Sequence, residues 1–350
     1  MKNKLKHLVP VLLALATITG SLSACELKSK AQQKVSKQGF YFDTIIQITL
    51  YGTTDEKYID DCFDMAKKYE DMLSNTVSYS EVSKINDAAG KEYVTVSDDT
   101  LELIKNGIEY GDTSDGRFDI TIGKLSDLWN FSEIAENTDS KDNEVDASVV
   151  PSDAQIQSEL SHVNYRNIQI NGNDVMLTDS KAKLDLGGIA KGFIADKMKA
   201  YLQSKKITSG IINLGGNVLT VGEKSDGSDY TVGIQKPFDE SGEPICTVKI
   251  KDKSVVTSGI YERYYRVDGK LYHHILDTTT GYPVKNNLYS VTIISDSSCD
   301  GDALSTTCFA LGIDKAKELI NSLSGVEAIF VTDDYSIITT SDEYLSLIHI

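Results

Sequence analysis

The stretch Leu184-Asp185-Leu186-Gly187-Gly188-Ile189-Ala190-Lys191-Gly192 predicts a strand that turns sharply into a helix. Residues 175–186 favour the strand, the paired glycines favour a tight turn, and Ile189 to Leu202 carries apolar side chains at helical spacing. Lys191 therefore falls in the first helical turn, where unpaired N–H groups and the helix dipole disfavour a cation. A bound phosphate would remove that conflict. A lysine that simply extends into water is the alternative, and the stretch leaves both open.

Residues 1–25 have the pattern of a bacterial lipoprotein leader. Three lysines lie within Met1–His7, an apolar run covers Leu8–Leu15, and Leu22-Ser23-Ala24-Cys25 closes the segment. Cys25 would become the lipid-modified N-terminus. A membrane-spanning helix is the alternative, but this apolar run is too short to cross a bilayer. We therefore expect an exported protein, lipid-anchored to the outer face of the cytoplasmic membrane and facing the periplasm if the cell has an outer membrane.

The predicted organisation is a leader over residues 1–24, an anchored tether over 25–39 and one large domain over 40–345. The chain carries a formal charge of −17, which becomes −20 once the three leader lysines are removed. Such an acidic surface repels nucleic acid and anionic lipid. Nucleic acid is therefore excluded as a partner, and any phosphate ligand needs a cation close to it.

Strands and helices alternate without a regular βαβ order, which favours an α+β fold of mixed, mostly antiparallel sheets with packed helices. Period-two alternation predicts a strand over Thr44–Tyr51, and a single apolar stripe predicts a helix over Lys57–Leu73. Asn171-Gly172 predicts a hairpin turn, and the glycine pair at 215–216 predicts another. The acidic segment Glu133–Pro151 has few large apolar side chains, so we expect a solvated surface loop.

Four cysteines follow the leader, namely Cys62, Cys246, Cys299 and Cys308. No two of them form a C-x-x-C pair, which argues against a zinc site or a thioredoxin-type site. Export would permit disulfides between them, and small buried thiols are the alternative.

Gly301-Asp302-Ala303-Leu304-Ser305-Thr306 predicts the start of a helix with two oxygen ligands on one face. The i to i+4 spacing places the Asp302 carboxylate and the Thr306 hydroxyl side by side. Hard oxygen ligands suit Mg²⁺, which takes few protein groups and keeps its other positions for water and phosphate. Asp302 could instead cap the helix, and this segment by itself does not decide between the two.

His273-His274-Ile275-Leu276-Asp277 predicts a strand that runs into the turn Thr280-Gly281-Tyr282-Pro283. Strand periodicity would point the two histidines to opposite faces, so that only one of them reaches a site. A neutral imidazole with a pKa near its reference value is a natural base for a hydroxyl proton. A surface or core histidine is the alternative. Arg263 is either a further phosphate contact or the partner of Glu262.

The order of these motifs resembles that of the ApbE-type flavin transferases, the FAD:protein FMN transferases, from about Phe40 to Thr340. The resemblance implies a T-fold-like domain and a Mg²⁺-dependent enzyme that transfers FMN from FAD to a threonine hydroxyl of an exported acceptor protein, releasing AMP. The matching segments are Phe42-Asp43-Thr44, Gly116-Arg117-Phe118-Asp119-Ile120-Thr121-Ile122-Gly123, Leu128-Trp129-Asn130-Phe131, Asp185 to Gly192, Asn213-Leu214-Gly215-Gly216-Asn217, Thr257 to Arg263, His274 to Pro283 and Asp302 to Thr306.

The resemblance also implies a role for each site residue. Mg²⁺ would be bound by the carbonyl of Gly188 and by Asp302 and Thr306, with Ser305 as a further candidate ligand. His274 would be the base that removes the proton of the acceptor threonine. The metal and Lys191 would stabilise the phosphate oxyanion in an otherwise acidic protein. FAD would be contacted by Phe42, Arg117, Phe118, Asp119, Asp185, Lys191 and the Ile275 region.

Three positions depart from the family pattern. Phe42 replaces the usual methionine and keeps an apolar flavin contact, and Thr278 replaces the usual proline, which should loosen that turn. Asn75 or Thr76 lies where members that hydrolyse FAD differ from members that hold it. An FAD pyrophosphatase that yields FMN and AMP and a non-catalytic flavin-binding lipoprotein are therefore the alternatives, although a pure binder would need neither a metal pair nor a base.

Overall fold

The computed structural model describes residues 33–138, 143–239, 241–341 and 343–347. Cys25 and the predicted leader lie outside the described residues, so the lipid anchor stays a prediction. In the described part of the chain, no helix is both long and apolar enough to cross a membrane.

Helices and strands are interleaved along the described residues. The helices are α1 (Lys57–Leu73), α2 (Glu81–Asp87), α3 (Asp98–Thr113), α4 (Gly123–Trp129), α5 (Phe131–Glu136), α6 (Asp153–Leu160), α7 (Ala190–Ser204), α8 (Ser298–Leu311) and α9 (Ile313–Ser322). The strands are β1 (Lys34–Tyr41), β2 (Thr44–Tyr51), β3 (Val94–Thr95), β4 (Ile168–Asn171), β5 (Asp174–Leu177), β6 (Ser209–Leu214), β7 (Asn217–Gly222), β8 (Tyr230–Gln235), β9 (Pro244–Ile250), β10 (Ser254–Gly259), β11 (Tyr264–Val267), β12 (Lys270–His273), β13 (Leu288–Ser295), β14 (Glu327–Thr332), β15 (Ile337–Thr339) and β16 (Leu345–Leu347).

One eight-stranded sheet, in the order β1-β2-β6-β7-β10-β13-β14-β15, organises the domain, and all its neighbouring strands are antiparallel. Helices α7 and α8 pack on one face, where Val291 and Ile293 of β13 meet Leu304 of α8. The small sheet β16-β9-β8 covers the opposite face, toward which Val255 and Ile294 point. The predicted α+β class with mostly antiparallel sheets is confirmed.

The chain enters the sheet earlier than predicted. The tether expected over 25–39 is wrong from Lys34 onward, because β1 pairs with β2 along its whole length. Among the residues of this edge strand only Val35 is buried, so the segment lacks the apolar alternation by which a strand is identified in sequence. Phe42 and Asp43 form the connecting turn with φ angles of 54° and 55°. This turn fixes the position of the predicted flavin contact Phe42.

The predicted strand over 175–186 ends at Leu177, and the remainder reaches the glycine turn as an irregular segment. The backbone of Leu184 pairs with a side chain instead of a neighbouring strand. The Asn86 side chain accepts from the Leu184 N–H at 2.7 Å and donates to the Leu184 carbonyl at 3.1 Å. The sequence pattern explains why a longer strand was predicted. Apolar residues alternate with polar ones here and are buried as in a strand, namely Ala182, Leu184 and Leu186.

The acidic segment Glu133–Pro151 is only partly the surface loop that its composition predicts. Helix α5 extends into it, and residues 147–149 form a 3₁₀ turn that Asp146 caps by accepting from the Ser148 N–H. The start of α5 is anchored by Phe131, which is buried and stacks on Trp129 at a centroid distance of 5.6 Å. This aromatic anchor lies just ahead of the acidic segment, where composition gives no signal for a helix.

Candidate active site

The glycine turn and the start of α7 have the predicted arrangement. Gly187 and Gly188 lie in the turn, α7 begins at Ala190, and Lys191 falls in its first turn. The N–H of Gly192 donates to Asp302 Oδ2 at 2.9 Å instead of closing a helical bond to the Gly188 carbonyl. Among the described residues, no N–H group donates to that carbonyl. The Gly188 oxygen is therefore available to a ligand.

Asp302 lies in the second turn of α8 and does not cap the helix. The helix begins at Ser298, one turn earlier than predicted, and the side chain of Ser297 caps it by accepting from the N–H of Asp300 at 3.1 Å. Asp302 is 5% exposed, and its Oδ1 lies 3.7 Å from Nζ of Lys191. The capping alternative is therefore wrong, and the structure brings the two predicted phosphate and metal clusters into contact.

Lys191 has a second contact, since its ammonium group donates to the Gly187 carbonyl at 3.1 Å. The unfavourable interaction between the Lys191 cation and the helix start is thus offset by the Asp302 carboxylate of the neighbouring helix. Lys191 neither extends alone into water nor needs a ligand to be stable here. This contact places one positive and one negative group at the open side of the glycine turn.

Asp196 is a functional candidate that the sequence analysis missed. It lies on α7 and accepts hydrogen bonds from the start of α8: from Ser297 Oγ at 3.0 Å, from the Ser298 N–H at 2.8 Å and from the Cys299 N–H at 2.9 Å. Burial raises the pKa of this carboxyl, although the three donors lower it. Each of the two helices therefore supplies a carboxylate to the start of the other. Nothing in the sequence around Asp196 distinguishes it from a surface acid.

Close packing of α7 against α8 makes this exchange possible. A Cβ at Gly192 would lie 2.1 Å from the Ser298 carbonyl oxygen, so only glycine fits there. Beneath the turn, the Phe118 ring would lie 3.2 Å from a Cβ at Gly188 and meets Tyr110 edge-on. Phe118 is buried and supports the turn from below.

Three hydroxyl groups lie beside Asp302. Ser258 Oγ is 2.7 Å from Ser305 Oγ and 3.1 Å from Thr306 Oγ1, and Ser305 Oγ donates to the Asp302 carbonyl at 2.9 Å. Ser305 has no exposed surface, whereas Thr306 is partly exposed. Of the two hydroxyls predicted as ligands, Thr306 is thus the accessible one, and Ser305 is engaged with its neighbours.

The two histidines have different surroundings, as the strand periodicity predicts. His273 is 5% exposed, its Nε2 lies 3.0 Å from the Val284 carbonyl, and burial lowers its pKa to about 4. His274 is partly exposed, and its Nδ1 lies 3.2 Å from the Arg263 carbonyl oxygen. Because a carbonyl only accepts, the His274 proton resides on Nδ1, which leaves Nε2 as an acceptor.

The pKa of His274 does not stay near its reference value. Burial of the imidazole, followed by the positive charge of Arg263, lowers this pKa well below 6.5, and Lys191 acts in the same direction. The imidazole is therefore neutral at physiological pH. Arg263 itself donates a hydrogen bond to Ser132 Oγ at 3.4 Å, and not to its neighbour Glu262.

Arg117 is held in place by the turn that follows His274. Its guanidinium donates to Asp277 Oδ1 at 2.9 Å and to Thr279 Oγ1 at 3.3 Å. The hydroxyl of Thr278, at the position of the family proline, donates to the Gly116 carbonyl at 2.6 Å and links this turn to the segment before Arg117. A polar cavity of about 200 Å³ opens beside the ion pair. It is lined by residues that include Arg117, Asp277, Val284, Lys285, Asn286 and Lys315.

The Asp119 carboxylate forms hydrogen bonds within the protein. Its carboxylate accepts from the Thr121 N–H at 2.8 Å, from Thr121 Oγ1 at 2.6 Å and from the Tyr165 N–H at 2.8 Å, and it is 7% exposed. Both oxygens are consumed within the protein, and burial raises the pKa of the carboxyl. Asp119 therefore shapes the loop that carries Arg117, and its contact with FAD stays a prediction.

The remaining predicted contacts lie around this centre. Asp185 Oδ1 accepts from the Gly187 N–H at 2.8 Å and so stiffens the glycine turn. Ile275 is buried, and its N–H donates to His273 Nδ1 at 3.3 Å. Phe42 is held on the β1–β2 turn by a bond from its N–H to Glu70 Oε1 at 2.8 Å. Within the described residues, no hydrogen bond, ion pair or ring contact joins Phe42 to the Lys191–Asp302 pair.

The chemistry of this site is that of a few oxygen ligands and cations. The described residues contain no group of three or more His, Cys, Asp or Glu side chains that could hold a metal ion. The Asp302 carboxylate, the Thr306 hydroxyl and the Gly188 carbonyl are instead hard oxygen groups, the kind that suits a cation that retains water or phosphate. The four described cysteines are free and buried, and burial raises their pKa values, so none is a nucleophile.

The chain matches one protein family and several members of it. The family model described as "ApbE family" matches residues 42–330. An FAD:protein FMN transferase of Klebsiella pneumoniae (strain 342) is 38% identical over 86% of this chain and 90% of that protein, and one of Treponema pallidum (strain Nichols) is 31% identical over 79% and 77%.

Solved structures show the same similarity. The ApbE protein of Thermotoga maritima superposes with a TM-score of 0.78 at 30% identity, covering 88% of this chain and 97% of that one. The flavin transferase ApbE of Vibrio cholerae superposes with a TM-score of 0.76 at 25% identity, covering 88% and 96%.

Proposed function

The chain belongs to the ApbE family and is an FAD:protein FMN transferase, and we propose that it uses Mg²⁺ to transfer FMN from FAD to a threonine hydroxyl of an exported acceptor protein, releasing AMP. The contact between Lys191 and Asp302 carries this proposal. It joins a cation at a glycine turn to a carboxylate beside a hydroxyl, which is the combination that a pyrophosphate and a divalent cation require.

Three oxygens would hold the metal, namely the carbonyl of Gly188, the carboxylate of Asp302 and the hydroxyl of Thr306. When bound, Mg²⁺ neutralises pyrophosphate charge and makes the phosphorus more electrophilic. Lys191 now balances Asp302, and a second cation at that carboxylate would free the ammonium group for a phosphate oxygen. Mg²⁺ fits this site better than a transition metal, because all the ligands are hard oxygens.

His274 would act as the base. Its neutral imidazole keeps a proton on Nδ1 through the Arg263 carbonyl, so Nε2 can accept the proton of an acceptor threonine. The threonine oxygen would form a bond to the FMN phosphorus, while the bond from that phosphorus to the bridging oxygen breaks. The electron pair of the broken bond would leave on AMP. Lys191 stabilises the oxyanion that develops on the phosphate.

The rest of the FAD site would be built from Arg117, Asp185, Lys191 and the Ile275 region, with Phe42 as the apolar flavin contact. Phe118 supports this surface through the glycine turn. The acidic surface keeps other anions away, so FAD binding depends on these few cations.

We further propose that Cys25 carries the lipid anchor and that the enzyme works outside the cytoplasmic membrane on an exported acceptor. The lipid contributes location and not chemistry. Cys25→Ser should therefore move the protein from the membrane fraction to the soluble fraction with its activity in solution unchanged. Tight membrane association of that variant would contradict the proposal.

The test of function uses the purified protein with FAD, Mg²⁺ and an exported candidate acceptor. AMP release, together with a gain of FMN mass on an acceptor threonine, is the expected result. AMP with free FMN and an unmodified acceptor would identify a pyrophosphatase instead. FAD binding without AMP would identify a non-catalytic flavin-binding protein.

A further inference from the structure

Strand β10 lies under α8 and sends every second side chain to it. Ser254 Oγ donates to Ser298 Oγ at 2.9 Å, Val256 lies against Gly301, and Ser258 reaches Ser305 and Thr306. The strand and the helix therefore run in the same direction. The alternate residue Thr257 points to the opposite face of the sheet, where its hydroxyl meets Thr292 at 2.8 Å.

The hydroxyl chain beside Asp302 has a fixed direction. Its last member is the Asp302 carbonyl, which only accepts, so Ser305 uses its proton there. Ser305 Oγ must then accept the proton of Ser258. Ser258 has no other proton, so at 3.1 Å it accepts from Thr306 Oγ1. All three hydroxyl protons in this series therefore point away from Thr306 and toward the Asp302 carbonyl.

This direction leaves the lone pairs of Thr306 Oγ1 free on its exposed side. A hydroxyl that binds a metal ion must offer a lone pair and direct its proton elsewhere. Without Ser258, the natural acceptor for a helical threonine is the carbonyl four residues earlier, which here belongs to Asp302. That rotation would change the direction in which the lone pairs of Thr306 Oγ1 point.

We propose that Ser258 is a positioning residue that aims the Thr306 hydroxyl oxygen at Mg²⁺. The proposal rests on the Mg²⁺ site of the proposed function and adds a residue that acts on this site through Thr306. Groups that orient metal ligands in this way typically change metal affinity about 10- to 100-fold. The effect should fall on the metal alone, since the Ser258 hydroxyl is engaged by Ser305 and Thr306.

Calorimetric titration of Mg²⁺ into the FAD-loaded chain, without acceptor, tests this inference. Ser258→Ala should weaken Mg²⁺ binding at least about tenfold while the affinity for FAD measured without metal stays unchanged. Ser258→Thr, which keeps the hydroxyl, should restore most of the binding. The matched control is Thr257→Ala. It removes a hydrogen bond of similar length between two hydroxyls on the other face of the same strand, and it should leave Mg²⁺ binding unchanged.

A second comparison separates positioning from general damage. In a Thr306→Val background, Ser258→Ala should cause no further loss of Mg²⁺ affinity, because Ser258 acts only through Thr306. Equal Mg²⁺ affinity of Ser258→Ala and the wild type, or losses that add in the double variant, would overturn the inference while leaving the proposed function intact. No Mg²⁺ binding by the wild-type chain would overturn both. If Ser258→Ala does not fold, Ser258→Cys, with its weak donor, replaces it and should show an intermediate loss.

Discussion

Lys191 Nζ lies 3.7 Å from Asp302 Oδ1, so the first turn of α7 and the second turn of α8 share one ion pair. The same carboxylate accepts from the Gly192 N–H at 2.9 Å. Asp302 thus serves the fold and the site together: it satisfies a helix start, and it holds a cation where a metal would bind. Any variant of Asp302 must be interpreted with both roles in mind.

The first prediction separates these two roles. Asp302→Asn keeps an oxygen for the Gly192 N–H but removes the charge, so Mg²⁺-dependent FAD cleavage should be lost while the thermal unfolding midpoint stays close to that of the wild type. Asp302→Ala should lose both cleavage and about 1 to 3 kcal/mol of stability, because a charged hydrogen-bond acceptor is removed from a buried site. AMP release and thermal melts measure the two effects. Mg²⁺-dependent turnover by Asp302→Asn would contradict the metal assignment.

The second prediction concerns the two histidines. His274→Ala should still bind FAD but transfer FMN about a hundredfold more slowly, the usual scale for loss of a general base. His273→Ala should lose stability rather than chemistry, because its buried ring packs edge-on against Phe309. Single-turnover transfer and urea unfolding distinguish them. A slower transfer step in His273→Ala at full stability would mean that the faces are assigned wrongly.

Amphipathic periodicity made parts of this fold predictable to the residue. The strand Thr44–Tyr51 and the helix Lys57–Leu73 have the bounds that their patterns predict, because each buries one clean apolar stripe. The edge strand β1 buries one residue and gives no such signal. The start of α8 was also not predictable, since several polar residues that could cap a helix follow one another at 295–298.

Site residues on one local motif were predictable, and contacts between motifs were not. The spacing of Asp302 and Thr306 predicts that they share one face of a helix, and the glycine turn predicts that Lys191 lies in the first helical turn. The contact between Lys191 and Asp302 depends on how two helices pack, about which neither motif carries information. Ser258 and Asp196 were missed for the same reason, since each acts on an element distant in sequence.

The third prediction concerns stability and pH. Burial lowers the pKa of His273 to about 4, below its unfolded value of about 6.5, so the unfolded chain binds more protons between these values. His273 therefore reduces stability as the pH falls from about 6.5 to 4, by up to about 3 kcal/mol. His273→Gln keeps a donor for the Val284 carbonyl and cannot titrate. Urea unfolding at pH 7.5, 6 and 5 should show that this variant loses less stability on acidification than the wild type. The same dependence of the free energy of unfolding on pH in both proteins would refute the assignment.

The last prediction concerns Asp196 as the cap of α8. Its carboxylate accepts from two backbone N–H groups and from Ser297 Oγ at the helix start, so Asp196→Ala leaves these donors without their acceptor. The expected loss is about 1 to 2 kcal/mol, the upper range for a helix cap. Asp314→Ala is the control, because Asp314 is an aspartate at a helix start, in the first turn of α9, but is exposed. That variant should change stability by less than about 0.5 kcal/mol.

Asp196→Ala should also affect the site through α8. The carboxylate fixes where α8 begins, and Asp302 lies one turn further along the same helix, so a frayed start would shift Asp302 relative to Lys191. The concentration of Mg²⁺ that gives half-maximal FAD cleavage should therefore rise, whereas Asp314→Ala should leave it unchanged. Urea unfolding and Mg²⁺ titrations of AMP release on both variants measure this. A loss of stability in Asp196→Ala with an unaltered Mg²⁺ requirement would show that the cap supports the fold without positioning Asp302.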